Sequence, residues 1–267
     1  MSDLYTRVNY SSDISYLNNV FIYELDISKA NINILYTLGA IDKETYDYLY
    51  NAERMVRQVY IGKLMKNNKE IIKILKAGII TAKKMLFEAN NIQDYEVLSI
   101  KNDAVFLINR IPQVRDFGLI HFAAKNKYTG YYKLRNLELY YYYSSIDKEE
   151  YLDAKGFNKE SQALHEQYMI QFFKDLFYTI QCNGVEVAMR LLKDFYLQYI
   201  SYSLPIGYYR RFGMNNDYHF KIQTGSGAGY CIDNATEEMK PMIDISHNLN
   251  LILDLQRILV DMYFIKH

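Results

Sequence analysis

Two aspartates stand in strand-like settings far apart in the chain. Asp26 closes the run Phe21-Ile22-Tyr23-Glu24-Leu25-Asp26-Ile27-Ser28. Asp103 interrupts Val97-Leu98-Ser99-Ile100-Lys101-Asn102-Asp103-Ala104-Val105-Phe106-Leu107-Ile108. Carboxylates are hard oxygen ligands, and a pair delivered from neighbouring strands is what a nucleotidyl-transfer site needs to hold divalent metals on a triphosphate. Taken singly, each has an ordinary explanation. Asp26 followed by Ser28 reads as a helix start, and Asp103 after Asn102 as turn chemistry. The pair does chemistry only where the fold makes the two side chains meet.

Periodicity identifies the elements that must position them. Residues 19–27 are expected as a strand. Ser28 to Leu38 has helical spacing, with Ile32, Leu35 and Leu38 near one face, Ser28 as cap and Gly39 as terminator. Asp42 opens a second helix through Leu49, and residues 52–66 and 67–90 are two more. Ile71, Leu75, Ile79, Ala82 and Leu86 mark the buried face of the last; Lys69, Lys73, Lys76, Lys83 and Lys84 are placed mainly off it. Residues 96–109 alternate on either side of Lys101-Asn102-Asp103, which predicts a β-hairpin with Asp103 at its tip. Strands are expected at 117–124 and 128–143, joined by a turn at Lys125-Asn126-Lys127. Past Asp147 the pattern becomes helical over 160–180, 184–203 and 245–264, with an irregular stretch at 204–232. The fold class is α+β: an antiparallel sheet with helices on one face over residues 1–147, then a mostly helical portion over 148–267.

Half of the 267 residues are apolar, enough for a sizeable core. Lys+Arg and Asp+Glu both number 31, which removes a global basic signal for nucleic acid but leaves local patches open. The 28 tyrosines, 13 phenylalanines and absent tryptophan, beside many Ile, Asn and Lys, point to an A+T-rich coding sequence. Cys182 and Cys231 lack metal-ligand spacing, and His121, His165, His219, His247 and His267 form no HExxH or close pair, so neither a zinc enzyme nor a cysteine protease is expected. No run is long and apolar enough to span a membrane, and Met1-Ser2-Asp3-Leu4-Tyr5-Thr6-Arg7 lacks the pattern of a secretory leader; a soluble protein of the cytoplasm is expected. Gly225-Ser226-Gly227-Ala228-Gly229 lacks the Gly-Lys-Ser/Thr ending of a phosphate loop and reads as a loop. The tyrosines of 128–143, Tyr131 among them, with Lys125, Lys127 and Arg135, read either as stacking platforms for single-stranded bases or as packed core. Arg210 and Arg211, inside Tyr208-Tyr209-Arg210-Arg211-Phe212, are a further candidate nucleic-acid contact.

Asp26-Ile27-Ser28-Lys29-Ala30-Asn31, with its leucine-bearing helix and Leu38-Gly39, resembles the first catalytic motif of the bacterial-type (family A) DNA polymerases, Asp-x-Ser-x-x-Glu. Val97 to Ile108 resembles their second motif, a hairpin whose turn presents an acid. The resemblance implies a polymerase palm with shortened fingers over 1–147 and a thumb-like portion over 148–267. It implies Asp26 and Asp103 as catalytic ligands bridging two Mg²⁺ ions, with the carbonyl of Ile27 as a third oxygen ligand. It places Asn31 at the ribose-reading position and Arg54, Arg57 and Lys63 on the phosphates. One ion lowers the pKa of a primer 3′-hydroxyl and the other carries the triphosphate. A reduced palm in an A+T-biased, tyrosine-rich chain is expected of a phage protein in the host cytoplasm. Its partner is then nucleic acid, DNA favoured over RNA, or a replication or transcription protein, with no membrane.

The chain departs from the family pattern where the ribose-reading Glu is Asn31, where the second hairpin acid is Ala104, and where the interval from residue 26 to 103 is under half of a full fingers insertion. These departures keep two other readings in view: a palm-like module that binds nucleic acid or a replication or transcription protein without turnover, and an inhibitor or structural phage protein on an unrelated α+β fold.

Overall fold

Apolar residues alternate at Phe21, Tyr23, Leu25 and Ile27 and at Ile120 and Phe122, which favours strands there, and the 3.6-residue rhythm of 69–90 dictates a long helix. The computed structural model describes residues 3–157, 159–213, 219–223 and 229–266, and it is α+β. Its strands and helices run β1 (Asn9–Ser11), β2 (Tyr16–Ile27), α1 (Ala30–Thr37), α2 (Lys43–Asn51), α3 (Arg54–Asn67), α4 (Lys69–Asn90), β3 (Val97–Lys101), β4 (Ala104–Ile108), β5 (Asp116–Phe117), β6 (Ile120–Leu134), β7 (Leu137–Ser144), β8 (Glu149–Ala154), α5 (Lys159–His165), α6 (Gln171–Cys182), α7 (Val185–Ile200), β9 (Phe220–Gln223), β10 (Gly229–Ile232) and α8 (Ser246–Lys266). Two compact units divide the chain. The first comprises the residues up to Asp13 together with Phe21–Lys127; the second comprises Ile14–Val20 and the chain from Tyr128 onward. β2 and β6 each contribute residues to both. Residue 147, where the sequence suggested a boundary, lies within the second unit, and β8 follows it.

In the first unit the strands lie in the order β1-β3-β4-β2, with β6 beside β2. Leu25, Ile27, Val105, Leu107, Ile120 and Phe122 on one sheet face share a core with Leu35 of α1 and Leu75, Ile79 and Leu86 of α4. Each fully buried side chain of this kind contributes roughly 1.5–3 kcal/mol. Asp42 caps α2 by accepting from the Thr45 backbone N–H at 2.8 Å. Ser28 does not cap α1. The chain turns instead through Lys29 in the left-handed region (φ 49°), and the Ser28 carbonyl accepts from the Asn33 amide at 2.8 Å. Gly78 lets α4 approach α1 closely: a Cβ there would lie 2.2 Å from Ile34 Cγ2. The register of β3 on β4 shifts between Val97 and Ser99, a bulge that the alternation of Leu98 and Ile100 did not reveal.

Lys125-Asn126-Lys127 is not a turn. β6 runs straight through it, because Lys125 pairs with Asp26 and Asn126 donates to Glu24, so the polar triplet is satisfied by acids of β2. The reversal comes at Arg135-Asn136, with Arg135 at φ 54°.

In the second unit β6, β7 and β8 pair antiparallel. β8 occupies residues expected to begin the helical portion. Tyr132, Leu139, Tyr141 and Leu152 pack with Phe173, Phe177, Leu192 and Leu259 of the helices, and Tyr132 stacks on Phe177 at 3.7 Å between ring centres. The helix expected over 160–180 is interrupted by a π-turn, Glu166–Ile170. Residues 225–228 of the glycine-rich loop lie outside the described residues.

Candidate metal and nucleotide site

β2 and β4 are antiparallel neighbours, with Leu25 opposite Val105 and Glu24 opposite Phe106. Leu25 and Ile27 enter the helix-side core, so strand alternation turns Glu24 and Asp26 to the other sheet face. The next step along β4 reaches the Asn102-Asp103 turn, where Asn102 adopts φ 56°. The fold thereby brings the Asp26 and Asp103 carboxyl groups within hydrogen-bonding reach of each other. Burial, and then the negative charge of Asp26, push the Asp103 carboxyl above the ordinary carboxylate range. Two carboxyl groups in contact are satisfied by a shared proton or by a cation.

One cation is already present. Lys125 Nζ lies 3.2 Å from Asp26 Oδ2 and 3.9 Å from Glu24 Oε1. Burial works against the Lys125 charge, but the hydrogen bond to Asp26 and the charges of Asp26 and Glu24 prevail and raise its pKa. Glu24 is buried and accepts from Asn126 Nδ2 at 2.7 Å.

The pair opens on a cleft of about 330 Å³. Ile27, Lys29, Asn31, Arg54, Arg57 and Lys125 line it together with the two aspartates. Arg54, Arg57, Gln58 and Ile61, spaced three and four apart, turn one side of α3 towards it. Arg57 is tied down by donating to the Ala52 carbonyl at 2.6 Å, and Lys29 by donating to the Tyr50 carbonyl at 2.8 Å with its ammonium over the Tyr50 ring. The first turn of α1 also lines the cleft, where unpaired backbone N–H groups favour an anion. Four cationic side chains against two carboxylates make a bowl suited to a metal-bound polyanion.

A family model described as the bacteriophage PBS1 gene 130 protein matches residues 1–261. The chain belongs to this family. It is therefore a phage protein, and the family description carries no activity. No curated protein matches the chain.

Of the site residues named from the sequence of this phage protein, Asp26, Ile27, Asn31, Arg54, Arg57, Asp103 and Lys125 line one cleft. Lys63 does not: it borders a separate groove with Tyr48, Met55, Val56, Val59 and Tyr60 on another side of α3. Lys127 lies over the Phe21 ring, and Arg135 pairs with Asp254 at 3.5 Å. Arg210 stacks on Phe220 and donates to the Asp233 carbonyl, and Arg211 contacts His247; both belong to the second unit. Tyr131 is 0% exposed, so it is core and offers no stacking platform for bases. Among the described residues no cluster of three or more His, Cys, Asp or Glu could hold a metal, and no helix is long and apolar enough to cross a membrane.

Lys83 is the residue that the sequence reading misplaced. It is 0% exposed, and its ammonium donates to the carbonyls of Arg7 at 2.5 Å and Asn102 at 3.2 Å, directly beneath the turn that presents Asp103. Burial pulls its pKa down to about 8, and the Asp103 charge opposes that fall. A signal was available: Lys83 sits four residues after Ile79 and four before Phe87, both buried, so it falls on the inward stripe of α4. Glu24 was legible too, two residues before Asp26 and therefore on the same strand face.

Proposed function

We propose that the first unit of this phage protein is a reduced polymerase-type palm that binds a magnesium–nucleoside triphosphate in the host cytoplasm and transfers its nucleotidyl group to a 3′-hydroxyl, forming the 3′-oxygen–α-phosphorus bond as the α–β phosphoanhydride breaks and releasing pyrophosphate and the hydroxyl proton to solvent. The observation that carries the reading is the meeting of Asp26 and Asp103 at one end of a cationic cleft. The donor set fits magnesium: two carboxylates in contact at a cleft whose other charged lining is cationic, where phosphate oxygens would supply further ligands. When bound, that ion supplies charge neutralisation at the reacting phosphate. Asp26 and Asp103 would hold it. Arg54, Arg57 and Lys29 bind and orient the phosphate oxygens, and Asn31 on the first turn of α1 faces the sugar. Lys125 and Lys127 on β6 are the candidates for the nucleic-acid backbone, DNA before RNA.

Primer extension in magnesium tests the reading. The wild type extends a primer–template, and Asp103→Asn does not. Equal, background-level incorporation by both removes the enzymatic reading. In that case the second reading stands, a palm-like module that binds nucleic acid or a replication protein without turnover. Ala104 and Asn31, where the resemblance calls for acids, are what favour it.

A further inference from the structure

We propose that Lys125 is the resident second cation of the Asp26–Asp103 site, so that the site takes one divalent ion with a nucleoside triphosphate rather than two. The inference rests on the nucleotidyl-transfer reading above and departs from the two-ion centre that the sequence resemblance implies.

Ligand supply is the first argument. A two-ion centre, with its ions roughly 3.5–4 Å apart, needs carboxylates that bridge and further oxygen donors at each ion. Here the residue after Asp103 is Ala104, and the nearest further acid, Glu24, has a side chain only 4% exposed and is held by Asn126. Two carboxylates with substrate phosphates are a sufficient set for one magnesium ion. They leave a second ion short of ligands.

Placement is the second argument. The Lys125 ammonium sits at 3.2 Å from Asp26 Oδ2 and 3.9 Å from Glu24 Oε1, so both carboxylates of β2 already face a fixed positive charge. It is tethered to β6, so it has no dissociation constant to meet. Its side chain is about half exposed, which leaves the ammonium able to face an incoming phosphate as well as Asp26. A lysine is a compact point charge with three donors, and it suits that double contact better than a planar guanidinium would.

The test counts ions. Mn²⁺ replaces magnesium as a spin probe, a non-hydrolysable nucleoside triphosphate is present in excess, and protein-bound Mn²⁺ is measured by electron paramagnetic resonance. The wild type binds one Mn²⁺ per chain. Lys125→Asp, which puts a carboxylate where the ammonium was, binds two. Lys125→Met, which removes the charge without adding a ligand, stays at one and shows that the gain in the aspartate variant is not a consequence of loosened structure. Two ions on the wild type, or no gain in Lys125→Asp, overturn the inference and leave the nucleotidyl-transfer reading in place. No bound Mn²⁺, or a single ion whose binding is unchanged in Asp103→Asn, overturns both.

Discussion

Replacing Asp103 by Asn should make the metal-free protein more stable, the reverse of what loss of an ordinary turn aspartate does. The Asp103 carboxyl is partly withdrawn from water and touches Asp26, so each ionised form opposes the other. Two unit charges about 4 Å apart repel by about 1 kcal/mol in water and about 4 kcal/mol at the effective dielectric of a protein surface. Lys125, at 3.2 Å from Asp26, and the Lys83 ammonium beneath the Asp103 turn offset part of this. Asparagine keeps the shape of the side chain and its fitness for a turn while removing one charge. The net gain is about 1 kcal/mol, or about 2–4 °C in melting temperature for a chain of this size. The sign with pH follows from the same cause. An aspartate whose folded pKa is raised favours the fold at low pH and loses that contribution as pH rises through the folded value. The difference between variant and wild type should therefore narrow on acidification from neutrality. Calorimetry in EDTA measures the gain, and magnesium reverses the order: at 100 times its dissociation constant a ligand adds about 2.7 kcal/mol to the form that binds it, here the wild type alone. Curves that cross between EDTA and magnesium are the expected outcome. A variant less stable than wild type in EDTA, or one stabilised equally by magnesium, refutes the claim that these carboxylates form a cation site.

Three further outcomes are expected. Lys83 is a lysine with its folded pKa lowered to about 8, so the unfolded chain holds its proton more tightly between about pH 8 and 10.5, and stability rises with pH across that window by up to about 3 kcal/mol; Lys83→Met should abolish the rise in urea-unfolding titrations and speed amide exchange at Asp103. His165, packed edge-on against Phe157 and Phe212, has its pKa lowered to about 4, first by burial and then by the Arg210 charge. Its neutral form is the one that the fold accepts, so stability should fall by up to about 3 kcal/mol as pH drops from about 6.5 to 4, and His165→Phe should remove that loss in acid melts followed by circular dichroism. Gly78→Ala places a methyl group 2.2 Å from Ile34 Cγ2 between α1 and α4, and the overpacking should cost roughly 1–3 kcal/mol, read from denaturant midpoints.

What the sequence made legible, and what it hid, follows from the range of the interactions involved. The hairpin at residues 97–108, the Asp42 cap and the buried stripe Ile71, Leu75, Ile79, Ala82 and Leu86 were readable because their determinants lie within a few residues of one another. The meeting of Asp26 and Asp103 was readable only as a condition, since it depends on β2 lying beside β4. The Lys125-Asn126-Lys127 turn failed for a long-range reason: a polar triplet breaks a strand only when nothing across from it is polar, and here Glu24 and Asp26 are. The tyrosines of β6 and β7 could not be assigned from composition, because a tyrosine suits a buried sheet face and a base-stacking surface alike; burial of Tyr131, Tyr132 and Tyr140 decides for the core. Lys83 is the sharpest case. The sequence reading set it off the buried face of α4, because a charge turned inward carries a cost that only its partners can offset, and those partners are backbone carbonyls of residues 7 and 102. Carbonyls have no side-chain signature. The spacing from Ile79 and Phe87 pointed inward, but the main-chain acceptors that make such burial tolerable are invisible to pattern reading, and here they hold the lysine directly under the turn on which the candidate site depends.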